Sequence, residues 1–137
     1  MSSKVMRLED FSIEYEMLPG YLRAYVFDGV DWLDLSIRMW TLLGQLCDTY
    51  GAQRILVVEN LVGEVGGEVF DVLSRVMLDA GFGKRRIAFV ELTNDHLGNE
   101  LGEIICLELG ITVMVFTNEA AARSWLLYGE DPPGGPC

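Results

Sequence analysis

Histidine occurs once in this chain of 137 residues, at His96, and Glu91, Asp95, Glu100 and Glu103 lie near it in the sequence. A metal centre needs at least three converging ligands. On a helix opening near Asp95, only Glu100 and Glu103, at i+4 and i+7, come close to the His96 face. Acidic residues at a helix start also answer the helix dipole, which accounts for Asp95 without a metal. A second candidate follows the apolar run Ile55-Leu56-Val57-Val58, where Glu59-Asn60 leads into the glycine-bearing loop Val62-Gly63-Glu64-Val65-Gly66-Gly67-Glu68. Strand-to-helix junctions are where α/β proteins place ligands, because the helix start presents free backbone N–H groups. This junction has neither the Walker spacing with its Lys-Ser/Thr nor the dinucleotide GxGxxG pattern, and Glu64 and Glu68 repel an anion. Asn60, Gly63, Glu64, Gly66, Gly67 and Glu68 are the candidate binding residues, with the glycines serving a tight turn. The dense basic cluster Lys84-Arg85-Arg86 is suited either to an anionic ligand or acidic partner, or simply to a solvated turn before a strand. No nucleophile–base pair stands out. Ser74 falls inside a helical pattern, Cys47 and Cys106 fall in apolar ones, and His96 has no visible Ser or Cys partner. No catalytic residue, metal site or cofactor is assigned.

The elements that position these residues follow from hydrophobic periodicity. Phe11, Ile13, Tyr15 and Met17 alternate with Ser12, Glu14, Glu16 and Leu18, a strand that ends at Pro19-Gly20; Tyr21 to Val26 resumes it as the second arm of a hairpin, so the first arm is expected at a sheet edge. Asp31 is placed to cap a helix from Trp32 to Tyr50 that stops at Gly51. Trp32, Leu35, Met39, Leu42, Leu43, Leu46 and Tyr50 form its stripe, which Leu33, Ile37 and Trp40 widen. These three residues face either a neighbouring element of the same chain or a partner, a second copy included. The strand Ile55–Val58 and a helix from Glu68 to Ala80 come next, then a stop at Gly81-Phe82-Gly83 and the strand Ile87–Val90. Thr93 or Asn94 can cap a helix carrying Leu97, Leu101, Ile104, Ile105 and Leu109. Strand Ile111–Phe116 and helix Glu119–Leu127 close the series.

The order β-β-α-β-α-β-α-β-α, with continuously apolar later strands, predicts an α/β domain over residues 1–128. Its expected core is one five-stranded, mixed and mostly parallel sheet with about four helices. Residues 129–137, rich in Pro and Gly, are expected to be disordered. Ten basic against 21 acidic residues give a net charge of −11, which repels nucleic acid and anionic membranes. The N-terminus lacks a signal-peptide core, and no apolar run is long enough for a stable membrane insertion. With three cysteines and no CxxC, the expectation is a cytoplasmic protein with reduced thiols.

With that order in hand, the chain resembles the SpoIIAA-like proteins, small bacterial members of the STAS fold that share features with the SEC14 or CRAL-TRIO architecture. The carriers, spread over Phe11 to Leu127, are the opening strand pair, the Asp31-Trp32 helix start, Arg54-Ile55-Leu56-Val57-Val58 with its glycine loop, and Arg86-Ile87-Ala88-Phe89-Val90. The closing Val113-Met114-Val115-Phe116, followed by Asn118-Glu119-Ala120-Ala121-Ala122 and Trp125-Leu126, completes the set. In the anti-anti-sigma branch of that fold, a Ser or Thr at the helix start after the third strand is phosphorylated by a partner kinase. Leu61 to Glu68 offers no hydroxyl here, so that switch is not carried over. Glu64 or Glu68 mimics such a charge only in part, since a phosphate brings roughly −2. The resemblance implies a non-catalytic regulatory or protein-binding module acting through Val62–Glu68 and the adjoining helix. Its alternative is a carrier of a small apolar ligand or lipid, held by residues such as Phe70, Met77, Leu101 and Ile105.

Overall fold

The computed structural model describes residues 3–30, 32–62, 70–92 and 107–129. Among them the chain builds one mixed sheet in the order β1-β2-β3-β4-β5-β6, with each strand beside its neighbour in sequence. The strands are β1 Lys4–Arg7, β2 Ser12–Leu18, β3 Tyr21–Val30, β4 Arg54–Val62, β5 Arg86–Glu91 and β6 Thr112–Phe116; the α-helices are α1 Leu33–Tyr50, α2 Phe70–Asp79 and α3 Glu119–Tyr128. The first two pairings are antiparallel, and the three from β3 to β6 are parallel.

Six strands replace the expected five. The addition is β1, which pairs with β2 from Lys4↔Tyr15 to Arg7↔Ser12 and takes over the sheet edge assigned to β2. Its sequence, Lys-Val-Met-Arg, has no buried residue, so no hydrophobic alternation marks it. Ladder hydrogen bonds hold it, together with Met6 packed on the core and a Lys4 Nζ–Tyr50 Oη bond of 3.2 Å. A short edge strand with a cation at each end also discourages pairing with other chains. Three α-helices and a 3₁₀ turn at Phe82–Lys84 are described; the helix expected from Thr93 or Asn94 falls almost wholly outside the described residues.

Side-chain alternation separates the two faces. On the inner face, Ile13, Leu22, Ala24, Val26, Ile55, Val57, Ile87, Phe89 and Val113 meet Leu35, Met39, Leu43, Leu46 and Cys47 of α1 and Leu73 and Met77 of α2. On the outer face, Tyr21, Leu56, Val58, Ala88 and Val90 meet Ala122 and Leu126 of α3. A strand order without reversal, joined by right-handed crossovers, stacks successive helices on one face, which is why α1 and α2 share the inner one.

Helix α1 departs from expectation at its start and keeps it at its end. Asp31 lies outside the described residues; the N-cap is Trp32, in extended backbone, with no capping side chain and half its surface exposed rather than in the buried stripe. Gly51 closes the helix in the left-handed region at φ 66°, and the N–H groups of Gly51 and Ala52 donate to Asp48 and Cys47 carbonyls. Of the two alternatives for Trp40, the structure shows the neighbouring element of the same chain: the ring is 7% exposed, meets Phe82 edge-on at 5.5 Å and stacks near Phe89. Burying so large a ring contributes on the order of 2 kcal/mol. Leu33 and Ile37 are half-buried and pack against the same cluster. At α3 the cap is Asn118, whose Oδ1 accepts from the Ala121 N–H at 2.9 Å.

Candidate functional site

The carboxyl ends of the parallel strands carry several exposed apolar side chains. Val30, at the end of β3, and Val62, at the end of β4, are register partners, 60% and 70% exposed. Leu92 follows β5, is half exposed, and is tied to β4 by its N–H donating to the Glu59 carbonyl at 3.2 Å. Beside them on the outer face, Phe27 pairs with Asn60 and stacks on Tyr25, with ring centroids 5.0 Å apart and planes 13° from parallel. Asn60 Nδ2 donates to Tyr25 Oη at 2.9 Å. The outcome is a half-open aromatic pair, an amide and hydroxyl joined by a hydrogen bond, and a rim of aliphatic side chains, on the strands or directly after them.

Local backbone shapes this rim. Between Phe27 and Val30 the β3–β4 register shifts, and Asp28 sits at φ 61°, a left-handed conformation that Asp tolerates better than most residues. The bulge re-aims Val30 toward the end of β4, a common use of an extra residue at a strand end. Trp32, exposed at the start of α1, follows two residues later.

Sequence reasoning passes over most of this surface. Asn60 is the one candidate binding residue that the structure places in it; Gly63, Glu64, Gly66, Gly67 and Glu68 lie outside the described residues, as do His96, Leu101, Ile105, Cys106 and Cys137. Tyr25 and Phe27 are detectable in retrospect: Leu22, Ala24 and Val26 take one face of β3, so the aromatic residues between them must take the other. On the inner side of the same strand ends, Glu59 and Glu91 are register partners, 5% and 9% exposed, and both are engaged by neighbours. Their signal is also in the sequence, since Arg54-Ile55 to Val58-Glu59 is matched by Arg86-Ile87 to Val90-Glu91 with identical spacing. Two carboxylates at one strand end can move protons or bind a cation, but among the described residues no three His, Cys, Asp or Glu side chains come together to hold a metal.

The basic cluster is split apart by the fold. Lys84 is exposed; Arg85 turns to the helix side, where Nε donates to the Ala52 carbonyl at 3.0 Å, Nη1 to the Ala80 carbonyl at 3.2 Å, and Nη2 to Asp48. Arg86 turns to the other face and lies 4.2 Å from the Trp125 ring centroid. Arg85 thereby bridges the ends of α1 and α2, where carbonyls lack helical partners and the dipoles are negative. Electrostatics elsewhere serve the fold. Burial opposes the charge on Arg23, yet the hydrogen bond and charge of Glu119, backed by Glu16 and Glu14, raise its pKa and fasten α3 to the sheet. Burial pushes the Cys47 thiol up to about 11, with Asp48 adding to the rise and Arg85 opposing it, so it is an inert core thiol.

The residues expected to hold an apolar ligand do not form a described chamber. Met77 is buried in the inner core, Phe70 opens α2, and Leu101 and Ile105 lie outside the described residues. No helix among the described residues is long and apolar enough to cross a membrane. No family model, curated protein or solved structure matches the chain.

Proposed function

We propose that the chain is a recognition module of the STAS, SpoIIAA-like type that binds a protein partner through the carboxyl-end rim of its sheet. The observation that carries this reading is the exposed set Val30, Val62 and Leu92 beside the stacked Tyr25–Phe27 pair and the Asn60 amide. Exposed apolar side chains clustered on rigid strands mark interaction surfaces, and aromatic anchors with a polar handle are the groups that dominate protein interfaces. The mixed sheet, with three parallel pairings and α1 and α2 on one face, supports the resemblance to the STAS architecture. The rim also adjoins the end of β4 at Val62, where the partner-binding loop of that fold begins. Leu61 to Glu68 carries no hydroxyl for such a switch, so in this reading the module acts by its surface alone.

The test is affinity capture from an extract of the source organism, with native mass spectrometry on the freshly purified chain. The reading predicts a protein bound by the wild type and by the opposite-face control Arg75→Glu, and lost with Phe27→Asp or Val62→Asp. A small-molecule mass on the purified chain that disappears with the same two substitutions, with no protein captured, would replace it with the apolar-carrier reading.

A further inference from the structure

On the helix side of the sheet, away from the rim, a groove of about 400 Å³ runs between α1 and α2. Its floor is set by small residues. A Cβ placed on Gly44 would come within 2.6 Å of the Ala80 carbonyl oxygen and 2.7 Å of the Ala80 Cβ, so only glycine lets the helices meet here. Ile37 and Thr41 of α1 and Val76 of α2 form the walls, and Asp48 and Asp79 flank the end where both helices stop. Neither helix has a basic residue in its last turn, and the cation at this end is Arg85, which donates to the Ala52 and Ala80 carbonyls. Arg85 answers Asp48 from beneath with a side chain only 10% exposed, while Asp79 stands exposed to solvent. The groove therefore has apolar walls at Ile37, Val76 and Ala80, neutral polar groups at Thr41 and Gln45, and the exposed carboxylate of Asp79 at one end, on a chain of net charge −11.

We propose that this groove docks a basic amphipathic helix of a partner protein. A valley between two helices accepts a third by ridge-into-groove packing, and apolar anchors at helical spacing would lie along Ile37 and Val76. A lysine or arginine side chain matches the remainder, since its aliphatic stem covers apolar wall while its head reaches the Asp79 end. An acidic helix or an anionic membrane is repelled by the same charges. Such docking is independent of the rim, because the groove and the rim lie on opposite sides of the sheet.

The probe is a fluorescein-labelled model helix of about 18 residues, five turns, with leucines on one stripe and lysines flanking it, followed by fluorescence anisotropy. A twin with glutamates in place of the lysines serves as the charge control. Asp79→Lys and Thr41→Lys alter exposed groove positions, whereas Glu14→Lys makes the same change of charge on the outer sheet face. Circular dichroism melts establish that each variant is folded. The groove predicts binding of the lysine peptide by the wild type and Glu14→Lys to within about twofold, a loss of about tenfold or more with Asp79→Lys and Thr41→Lys, and no binding of the glutamate twin. Equal weakening by Glu14→Lys, unchanged binding by Asp79→Lys, or no binding by the wild type would overturn it.

Discussion

Arg85 shows how one residue can be misread by its neighbours in sequence. Between Lys84 and Arg86 it looks like part of an anion site, yet its guanidinium satisfies two helix-end carbonyls and Asp48. Removing it leaves those acceptors at the junction of α1 and α2 without their donor. Arg85→Ala is predicted to lower stability by about 2 kcal/mol in urea melts, with Arg85→Lys recovering only part, because an ammonium cannot span three acceptors in a planar fork. Cys47 makes the second residue-scale prediction. Its folded pKa lies above its unfolded one, so the unfolded chain releases the proton first as pH rises. The contribution is complete below about pH 9 and is lost as pH climbs toward about 11. Cys47→Ala should flatten the decline of stability between those pH values, and in the native wild type Cys47 should resist a thiol-labelling reagent. Rapid labelling of Cys47 under native conditions would contradict its burial.

At the scale of elements, apolar periodicity made β2, the parallel strands, α1 and α3 readable, because each puts a continuous or alternating greasy face against the core. The same criterion missed β1, which has no fully buried residue and is held chiefly by its ladder to β2. It also left Trp40 open between a neighbouring element and a partner: a helix stripe wider than one sheet face looks like surplus, but Phe82 in the turn before β5 and Phe89 within it supply the extra wall. Asn60 was legible as a strand-end polar residue, whereas the Tyr25–Phe27 pair it joins emerges only when β3 and β4 are set in register. Side-chain neighbours across parallel strands are separated by a whole helix in sequence, and no local pattern reveals them. Two predictions belong here. Native-state hydrogen exchange should find β1 amides opening at far lower free energy than those of β4 and β5, which lie inside the sheet. Gly44→Ala should destabilise by about 2 kcal/mol in urea melts, because its methyl group would force α1 away from Ala80.

For the molecule as a whole, the two sides of the sheet present different chemistry. The rim at the carboxyl ends offers aromatic and aliphatic side chains with a fixed amide; the helix side offers a groove with a negative end. The net charge of −11 adds a long-range preference for basic partners, screened beyond about 10 Å at ordinary salt. Among the described residues the crossover helices α1 and α2 share one face and the strand order shows no reversal, the feature that opens a crevice in dinucleotide-binding folds. In the proposed reading, this rim meets a broad partner surface. The most direct test is capture of a partner by the wild type compared with Val62→Asp, a change at a 70% exposed position that should move the melting temperature little. A partner protein retained by the wild type and by Arg75→Glu but lost with Val62→Asp is the predicted result; the same protein retained equally by all three would contradict the assignment of the rim.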